Sequence, residues 1–491
     1  MDSLSKLYYI NSGQNGTFAA SGNGAYDSVP ADVDAIFKYL TVNDKKSIAV
    51  YFHGGLVDAE SGMETAKRFT KKTLEKTNVH PVSFIWETGP LETIKQNLGS
   101  VVTTPFAKAI LKRVIKIAGD QLGIDAATLV GTKSVGGMGY SEIETELSRE
   151  APFDNYSIDE GKKAANRIET LSEVQLKNRI HAEVENEFDS DNELKEAFNA
   201  LSDEEKKILS PELFDESNGE GTKGLFSWLG VIEVAIKIIY KVIKRHLEKR
   251  DHGFYPTIIE EVLREVFVAD VGSWMWGAMK DKACNMWTED PSGTAPEDLH
   301  TGAYFLKKLA EFSENRVVTL DLIGHSAGSI AICHMVAELQ RLNIQDEIRN
   351  IIFMAPACRS ELFNDTIVTN SHRVQNFRMF TMFDYNEIKD HLVPFVYTRS
   401  LLYLISGILE KDENDAYILG MERYHHGKKP YDGDLVLESV RAFFEAGENR
   451  TIYAVTDDGA PEGLRSSSLK HGAFDDDKEI TMDSIAYILS K

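Results

Sequence analysis

The chain has 491 residues, of which 42% are hydrophobic and 27% are charged, together with 35 glycines and 13 prolines. This composition is typical of a globular protein with a sizeable core, and it excludes a chain that is mainly disordered or collagen-like. The formal net charge of −23 repels polyanions, so we expect no nucleic-acid partner.

Seven short runs rich in β-branched and aromatic residues predict buried strands. They cover residues 7–10, 48–52, 82–86, 317–323, 351–354, 377–383 and 451–455. Most of them are followed by helical patterns, such as those over residues 327–342 and 482–489. Strands that alternate with helices predict an α/β fold, with a mainly parallel sheet and helices on both of its faces.

The spacing of the strands is uneven, because about 230 residues separate the third run from the fourth, too many for one crossover. We expect a core made of residues 1–89, 301–391 and 448–491. A mainly helical cap, residues 90–300, and a second insertion, residues 392–447, are expected between these parts of the core.

Helical patterns in the cap show a narrow polar stripe on an otherwise apolar surface. In residues 224–250 the stripe consists of Glu233, Lys237, Lys241, Lys244 or Arg245, and Glu248, and residues 106–116 have the same character. Such a helix is usually packed within a bundle, but a mostly cationic stripe is also typical of a helix at an anionic lipid surface. Burial and peripheral membrane contact are therefore two open interpretations of the cap helices.

Aromatic and sulfur-containing side chains are concentrated in the cap. Four of the five tryptophans lie there, at Trp228, Trp274, Trp276 and Trp287, with Met275, Met279 and Met286 near three of them. Side chains of this kind form either an ordinary helical core or an apolar pocket for an acyl group.

The strongest motif is Gly324-His325-Ser326-Ala327-Gly328, which directly follows a predicted strand and opens a predicted helix. A serine on such a turn has a strained backbone, and its hydroxyl projects from the edge of the sheet. The two glycines allow the strand and the helix to approach closely. This context predicts that Ser326 is a nucleophile, and the alternative is an ordinary strand-to-helix turn.

A nucleophilic serine needs a base and an acid that orients the base, and after this type of turn the acid precedes the histidine in the chain. Asp384 directly follows the predicted strand at residues 377–383, at the carboxyl edge of the sheet, and is the predicted acid. Asp390 and Glu387 lie on the same loop and are alternatives to Asp384.

Four histidines follow this acid, namely His391, His425, His426 and His471. Only His471 lies in the loop between the last strand and the closing helix, from which an imidazole can reach Ser326. We therefore predict that His471 is the base. His425 and His426 have no carboxylate or cysteine at ligand spacing, so no metal site is expected.

Acyl transfer also needs backbone N–H groups that stabilise the developing oxyanion. Ala327, the residue after the serine, supplies the first predicted donor. The strand at residues 48–52 runs into His53-Gly54-Gly55-Leu56, where Gly55 or Leu56 would supply the second donor. The alternative for this loop is a simple glycine turn.

Together, the GHSAG and HGGL motifs, Asp384 and His471 occur in an order that resembles the α/β-hydrolase superfamily, particularly its serine esterases and lipases. The resemblance implies an α/β-hydrolase fold and a mechanism in which His471 deprotonates Ser326. Ser326 then attacks an ester carbonyl, and water hydrolyses the acyl-enzyme. HGGL lies between the HG-x and HGGG forms of the oxyanion loop, and the large cap has no counterpart in the minimal fold.

The predicted activity is that of a serine carboxylester hydrolase, and the apolar cap favours lipid or other hydrophobic acyl substrates. A thioesterase, a peptidase or an acyltransferase would use the same three residues. An alternative from another class is a non-catalytic membrane- or protein-binding module on a hydrolase scaffold. The glycine-rich stretch at residues 130–139 does not match a phosphate loop, and no cofactor is expected.

The cellular location is predicted from three absences in the sequence. The cysteines, Cys284, Cys333 and Cys358, form no CxxC pair, and the N-terminus has no signal-peptide pattern. No window reaches about 18 uninterrupted apolar residues. These features predict a cytoplasmic protein, with peripheral contact to a membrane through the cap helices as the alternative.

Overall fold

The fold is that of a computed structural model. It describes residues 4–21, 24–86, 89, 91–124, 138–154, 171–188, 192–214, 227–267, 272–412, 414–475 and 480–491. All the candidate site residues lie within these ranges, whereas most of the glycine-rich stretch at 130–139 lies outside them.

The centre of the fold is a seven-stranded sheet in which all neighbouring strands are parallel. The strands are β1 (Tyr9–Ser12), β2 (Ser47–Phe52), β3 (His80–Trp86), β4 (Thr319–His325), β5 (Glu347–Met354), β6 (Val374–Met382) and β7 (Thr451–Ala454). Their order across the sheet is β1-β3-β2-β4-β5-β6-β7. In the central pair, Phe52 is in register with Gly324, so the loops that follow β2 and β4 leave the same edge side by side.

All seven predicted strands are found, with shifted ends. The largest extension is at β5, which begins at Glu347 and not at residue 351. The first residues of this strand are mostly polar. Among them, Arg349 and Asn350 bind the buried carboxylate of Asp321 on β4, at 2.6–3.0 Å. A strand prediction based on hydrophobic runs therefore misses this polar end of β5.

Helices cover both faces of the sheet, which confirms the predicted α/β class. Alternate residues of β2 show the two faces, since Val50 packs into one hydrophobic cluster and Tyr51 into another. On the Val50 side lie α1 (Pro30–Val42), α12 (Thr301–Ser313) and α13 (Gly328–Arg341). On the Tyr51 side lie α2 (Ala59–Lys76) and α18 (Ile480–Leu489).

The described residues between β3 and β4 are mainly helical and add no strand to the sheet. Their helices before α12 are α3 (Leu91–Val102), α4 (Pro105–Leu122), α5 (Tyr140–Leu147), α6 (Glu173–Phe188), α7 (Asn192–Asn199), α8 (Asp203–Lys207), α9 (Trp228–Leu247), α10 (Phe254–Val266) and α11 (Ser273–Asn285). After β5 the chain forms α14 (Ser360–Phe363), α15 (Asp384–Lys389), α16 (Leu401–Leu404) and α17 (Leu435–Glu445). Helix α15 begins directly after β6, at the edge of the sheet where the β2 and β4 loops also lie.

The cationic stripe of α9 faces carboxylates of the cap itself. Lys237 pairs with Glu212 at 2.5 Å, and Lys241 pairs with Glu265 at 2.6 Å. The apolar residues of this helix, among them Ile238, are buried. These contacts favour the burial interpretation of the helix. Among the described helices, none is long and apolar enough to cross a membrane.

Candidate functional site

Ser326 lies on the tight turn between β4 and α13, with a φ of +50°. Its N–H donates to the carbonyl of Met354 at 2.8 Å, and its carbonyl accepts from the N–H of Ala357 at 3.0 Å. A positive φ is strained for a residue with a side chain, and these two bonds to the end of the neighbouring strand hold it. The strained turn expected from the motif is therefore present.

The glycines of the motif are required by close approach of the backbone. A methyl group on Gly324 would lie 2.8 Å from the carbonyl carbon of Gly328. A methyl group on Gly328 would lie 2.4 Å from the carbonyl oxygen of Phe52. Both distances are shorter than van der Waals contact, so α13 can lie this close to β2 and β4 only with glycine at these positions.

His471 lies beside the serine. It begins a short 3-10 turn, His471–Ala473, between β7 and α18, and its Nε2 is 2.8 Å from Oγ of Ser326. Both side chains are buried, with 4% of Ser326 and 6% of His471 exposed. Burial, assisted by the nearby His325, lowers the pKa of His471 to about 3. The imidazole is therefore neutral at pH 7, the form that can accept the proton of the hydroxyl.

Asp384, the predicted acid, is bound elsewhere. Its Oδ1 accepts a hydrogen bond from the hydroxyl of Tyr403 at 2.7 Å, and its N–H donates to Glu422 at 2.7 Å. Both partners belong to the second insertion. The buried Nδ1 of His471 has no hydrogen-bond partner among the described residues. The structure thus brings Ser326 and His471 together but does not join Asp384 to them by a hydrogen bond.

Asp390, the alternative acid, does contact the base, although through the main chain. It follows the last residue of α15, and its Oδ2 accepts the backbone N–H of His471 at 2.9 Å. Burial raises the pKa of Asp390. Of the three carboxyl groups that the sequence offers, this is the one hydrogen-bonded to His471.

Glu387, the third carboxyl group on this helix, is fully buried. Neither of its oxygens has a hydrogen-bond partner among the described residues. Burial, with smaller contributions from the charges of Asp390 and Asp384, raises the pKa of Glu387 to about 8. Glu387 is therefore mostly protonated at pH 7 and is a poor partner for a histidine that must become positively charged.

A second histidine, His325, holds the backbone of His471, and this contact was not predicted from the sequence. Nδ1 of His325 lies 3.0 Å from Oδ2 of Asp475, and Nε2 lies 3.0 Å from the backbone carbonyl of His471. Both partners are acceptors, so both ring nitrogens must carry hydrogen and His325 is an imidazolium. Burial alone would lower the pKa of His325, but the Asp475 carboxylate raises it above its usual value.

Asp475 is held in turn by the sheet, because its Oδ2 also accepts the hydroxyl of Tyr51 on β2 at 2.9 Å. Burial opposes ionisation of Asp475, but His325 and Tyr51 lower its pKa to about 2. The sequence does contain a signal for this network, since His325 precedes the serine and Asp475 lies in the same loop as His471. Only the folded chain shows that the two ends of the network meet.

The HGGL loop lies against the serine turn. A methyl group on Gly54 would lie 3.5 Å from Cβ of Ser326, and one on Gly55 would lie 2.8 Å from Cβ of Ala327. The backbone N–H groups of Gly55 and Ala327 donate to no residue in the described part of the chain. Leu56, the alternative donor, has a φ of +62°. Two available N–H groups next to the serine are what the predicted oxyanion hole requires.

His53 determines the shape of this loop. Its Nδ1 lies 2.6 Å from the carbonyl of Gly54, and its Nε2 accepts the backbone N–H of Trp86 at 3.1 Å. Nε2 must therefore be unprotonated, and Nδ1–H donates to Gly54. Burial lowers the pKa of His53 to about 4, in agreement with this neutral form. The HGGL loop is therefore held in place by a neutral histidine.

A cleft of about 430 Å³ adjoins α11 and the N-terminal segment of the chain. The residues of α11 that line it are Trp274, Met275, Ala278, Met279 and Lys282. Met279 connects this cleft to the HGGL loop, because a methyl group on Gly55 would lie 2.1 Å from its sulfur. The apolar residues that the sequence placed in the cap thus reach the candidate oxyanion loop.

His425 and His426, the two histidines of the second insertion, have their partners within that insertion and not at His471. Nε2 of His425 is 2.7 Å from the carbonyl of Leu419, and Nε2 of His426 is 3.8 Å from Glu422. Across the described ranges, no group of three or more histidine, cysteine or acidic side chains is arranged to hold a metal ion.

Comparison with protein families, curated proteins and solved structures finds no match to this chain. The α/β class is established by the parallel sheet and its two helical layers. A narrower assignment depends on the chemistry of the residues around Ser326.

Proposed function

We propose that this chain is a serine hydrolase of the α/β-hydrolase type, which cleaves carboxylic esters through an acyl-enzyme on Ser326. The observation that carries the proposal is the 2.8 Å distance between Oγ of Ser326 and Nε2 of His471, on a strained turn at the edge of a parallel sheet. Nε2 accepts the hydroxyl proton while Oγ attacks the carbonyl carbon, and it then returns the proton to the leaving alcohol. Water repeats these steps on the acyl-enzyme and releases the acid.

The oxyanion of the tetrahedral intermediate is stabilised by the N–H of Ala327 and by that of Gly55 or Leu56. Support comes from the two N–H groups of Ala327 and Gly55, which have no acceptor in the described chain. Gly55 lies against Ala327, the residue after the serine. Helix α13 also begins at Gly328, so the positive end of its dipole faces the same position.

Asp390 is the acid in this proposal, in place of Asp384. The carboxylate of Asp390 already holds the main chain of His471, whereas that of Asp384 is bound to Tyr403. The second support for the base is the imidazolium of His325, which holds the carbonyl of His471. We therefore treat His325 and Asp475 as positioning residues for the base.

The proposed substrate has an apolar acyl group, as in a lipid ester. This choice rests on the cleft beside α11, where Trp274 is 61% exposed and Met279 contacts the oxyanion loop. The α11 wall of the cleft is mainly apolar, and polar groups come from Lys282 and from the N-terminal residues Gln14, Asn15 and Ser21. The apolar wall favours a hydrophobic acyl group. Thioesters, amides and acyl transfer need the same reacting groups and are the alternative substrate classes and reaction.

Peripheral membrane contact is a weaker part of the proposal. Lys237 and Lys241 of α9 are paired with Glu212 and Glu265, and Lys244 and Arg245 are paired with Glu248 and Glu261. These cations are therefore not available to anionic lipids. Among the described cap residues, the large apolar side chains with more than half of their surface exposed are Val174, Leu229 and Trp274, and these would contact a bilayer. A cytoplasmic location is proposed on the cysteine pattern of the sequence alone.

The test is labelling of the full-length protein with a fluorophosphonate probe, which reacts with an activated serine. We expect wild type and the surface control Ser490→Ala to label, and Ser326→Ala and His471→Ala to remain unlabelled. Ester hydrolysis by these two variants should fall by roughly 10⁶. Rates on esters from acetate to palmitate, on a thioester and on an amide then identify the substrate class. A preference for acetate would contradict the lipid assignment and leave the serine hydrolase standing.

A non-catalytic scaffold is the second candidate, and one observation favours it. Nδ1 of His471 is buried without an acceptor in the described chain, so the base lacks the direct carboxylate contact of a complete triad. If neither wild type nor Ser490→Ala is labelled, and no ester, thioester or amide is hydrolysed, the scaffold replaces the hydrolase.

A further inference from the structure

A second cleft, which we call the cationic cleft, lies between the cap and the second insertion. Its volume is about 380 Å³. The basic side chains that line it are Lys249, Arg399, Arg423, Lys428 and Lys429, together with the histidines His252 and His426. The acidic side chains that line it are Asp251 and Asp384. In a chain with a net charge of −23, this local excess of positive charge is opposite to the average.

Arg423 is the central cation of this cleft and has only uncharged partners. Its Nη1 donates to the hydroxyl of Tyr403 at 3.3 Å. Its Nη2 donates to the hydroxyl of Tyr431 at 3.1 Å and to the carbonyl of Asp251 at 3.0 Å. The Nε atom is buried and has no partner, and no described carboxylate lies within 4 Å of the guanidinium nitrogens. The charge of Asp415 acts on Arg423 from beyond ion-pair distance, and Asp415 itself accepts the hydroxyl of Tyr431. A half-buried guanidinium without a direct ion pair can take a further anion beside it.

The two carboxylates that line the cleft form no direct ion pair with Arg423. Asp251 is bound by Nδ1 of His246 at 3.1 Å and by the N–H of Gly253 at 2.9 Å. Asp384 is bound by the hydroxyl of Tyr403. Both acidic groups are thus held by partners outside the set of lysines and arginines that faces the cleft.

The remaining cations are also available to a ligand. Arg399 is anchored by the carbonyls of His252 and Thr398 through Nε and Nη1, both at 2.7 Å, and its Nη1 also pairs with Asp154 at 3.4 Å. Its Nη2 donates to no described residue. The exposed side chains of Lys428 and Lys429 form no ion pair with any residue in the described ranges. A fixed arginine with an available nitrogen beside two lysines is an arrangement that suits a compact, multiply charged anion.

We propose that the cationic cleft binds a phosphate group through Arg399, Arg423 and the rim lysines Lys428 and Lys429. A phosphate offers several acceptor oxygens and close to two negative charges, which match guanidinium donors and flexible ammonium groups. The phosphate belongs either to the head group of an anionic phospholipid or to a soluble phosphate ester. The cleft does not include Ser326 or His471, so this proposal stands or falls separately from the hydrolase.

The test is calorimetric titration of the full-length protein with inorganic phosphate, at constant ionic strength with chloride as the balancing anion. We expect saturable binding and a higher melting temperature in phosphate. The variant with Lys428→Gln and Lys429→Gln, which leaves Arg399 and Arg423 in place, should bind phosphate about tenfold more weakly. The matched control, Lys206→Gln with Lys207→Gln on α8 of the cap, should bind as wild type does.

Arg423→Gln should abolish phosphate binding, and if this variant does not fold, the lysine pair still decides the matter. Absence of saturable binding to wild type would overturn the proposal. Equal binding by wild type and the Lys428 and Lys429 variant would overturn it as well, because the phosphate would then lie elsewhere.

Vesicle sedimentation distinguishes the two sources of the phosphate. The probes are phosphatidylcholine vesicles with and without phosphatidic acid. Binding that requires phosphatidic acid and is lost in the lysine variant supports the cleft with a phospholipid head group as its ligand. Phosphate binding without vesicle binding supports the cleft with a soluble phosphate ester.

Discussion

The backbone carbonyl of His471 accepts a hydrogen bond from Nε2 of His325 at 3.0 Å. The residue next to the proposed nucleophile therefore holds the main chain of the proposed base. His325 can donate from both nitrogens because Asp475 accepts from the other one. The position of the proposed base thus depends on the buried ion pair of His325 and Asp475. In the proposed mechanism, this pair does not itself transfer the hydroxyl proton of Ser326.

Asp475→Asn tests this dependence. Removal of the carboxylate charge lowers the pKa of His325, so the imidazolium is lost at neutral pH and its bond to His471 weakens. We expect the turnover of esters to fall by roughly 10²-fold, the effect of a misplaced catalytic group. The loss should be smaller at pH 5 than at pH 8, since low pH restores the imidazolium.

The measurement is kcat/KM as a function of pH for Asp475→Asn and for the control Tyr51→Phe. The control removes one hydrogen bond from Asp475 but leaves its charge beside His325. It should therefore keep the pH profile of wild type. A parallel loss at every pH in both variants would indicate a structural effect alone and would contradict the positioning role of His325.

A second prediction concerns the acid. Asp390→Asn should lower ester turnover by about 10²–10⁴, because Asp390 holds His471 and is the proposed orienting group. Asp384→Asn should have little effect on turnover, because its carboxylate is bound to Tyr403. The comparison uses initial rates and fluorophosphonate labelling rates at pH 7. The opposite ranking of the two variants would return the acid to Asp384.

The difference between these two aspartates shows what the sequence can predict here. The sheet and the serine turn are predictable because buried strands and a strand-turn-helix motif are local patterns. The position of His471 beside Ser326 is predictable from its place in the loop after the last strand. The hydrogen-bond partner of Asp384 is Tyr403, which lies 19 positions later in the chain. Tyr403 belongs to the second insertion, whose fold no local pattern defines. The bond between His325 and the carbonyl of His471 spans 146 positions, and only the assembled sheet edge brings these residues together.

A third prediction concerns stability. Glu387 titrates near 4.5 in an unfolded chain, but its pKa in the fold is about 8. The folded state therefore binds one more proton between these values, and this group's contribution to the free energy of unfolding decreases as the pH rises from about 4.5 to 8. In Glu387→Gln the side chain carries no charge, so the variant should become more stable than wild type at high pH.

Denaturant unfolding at pH 5 and at pH 9 measures this effect. At pH 9 we expect Glu387→Gln to exceed wild type by roughly 3 kcal/mol, and at pH 5 the two should be similar. Glu462→Gln, at an exposed position, is the control and should follow wild type at both values of pH. A difference between Glu387→Gln and wild type that does not change with pH would show that Glu387 does not ionise in this range.

The last prediction tests the close packing that places Ser326. In Gly328→Ala the new methyl group would lie 2.4 Å from the carbonyl oxygen of Phe52, so α13 must move away from β2. We expect a loss of roughly 1–3 kcal/mol in the free energy of unfolding, together with slower labelling of Ser326, because the turn moves with the helix.

Gly277→Ala is the matched control, since Gly277 lies inside α11 with no atom within 4 Å of a new methyl group. That change should stabilise the protein by about 0.5–1 kcal/mol through the higher helix propensity of alanine. Equal stabilities of the two variants would show that the contact between β2 and α13 does not require glycine at position 328.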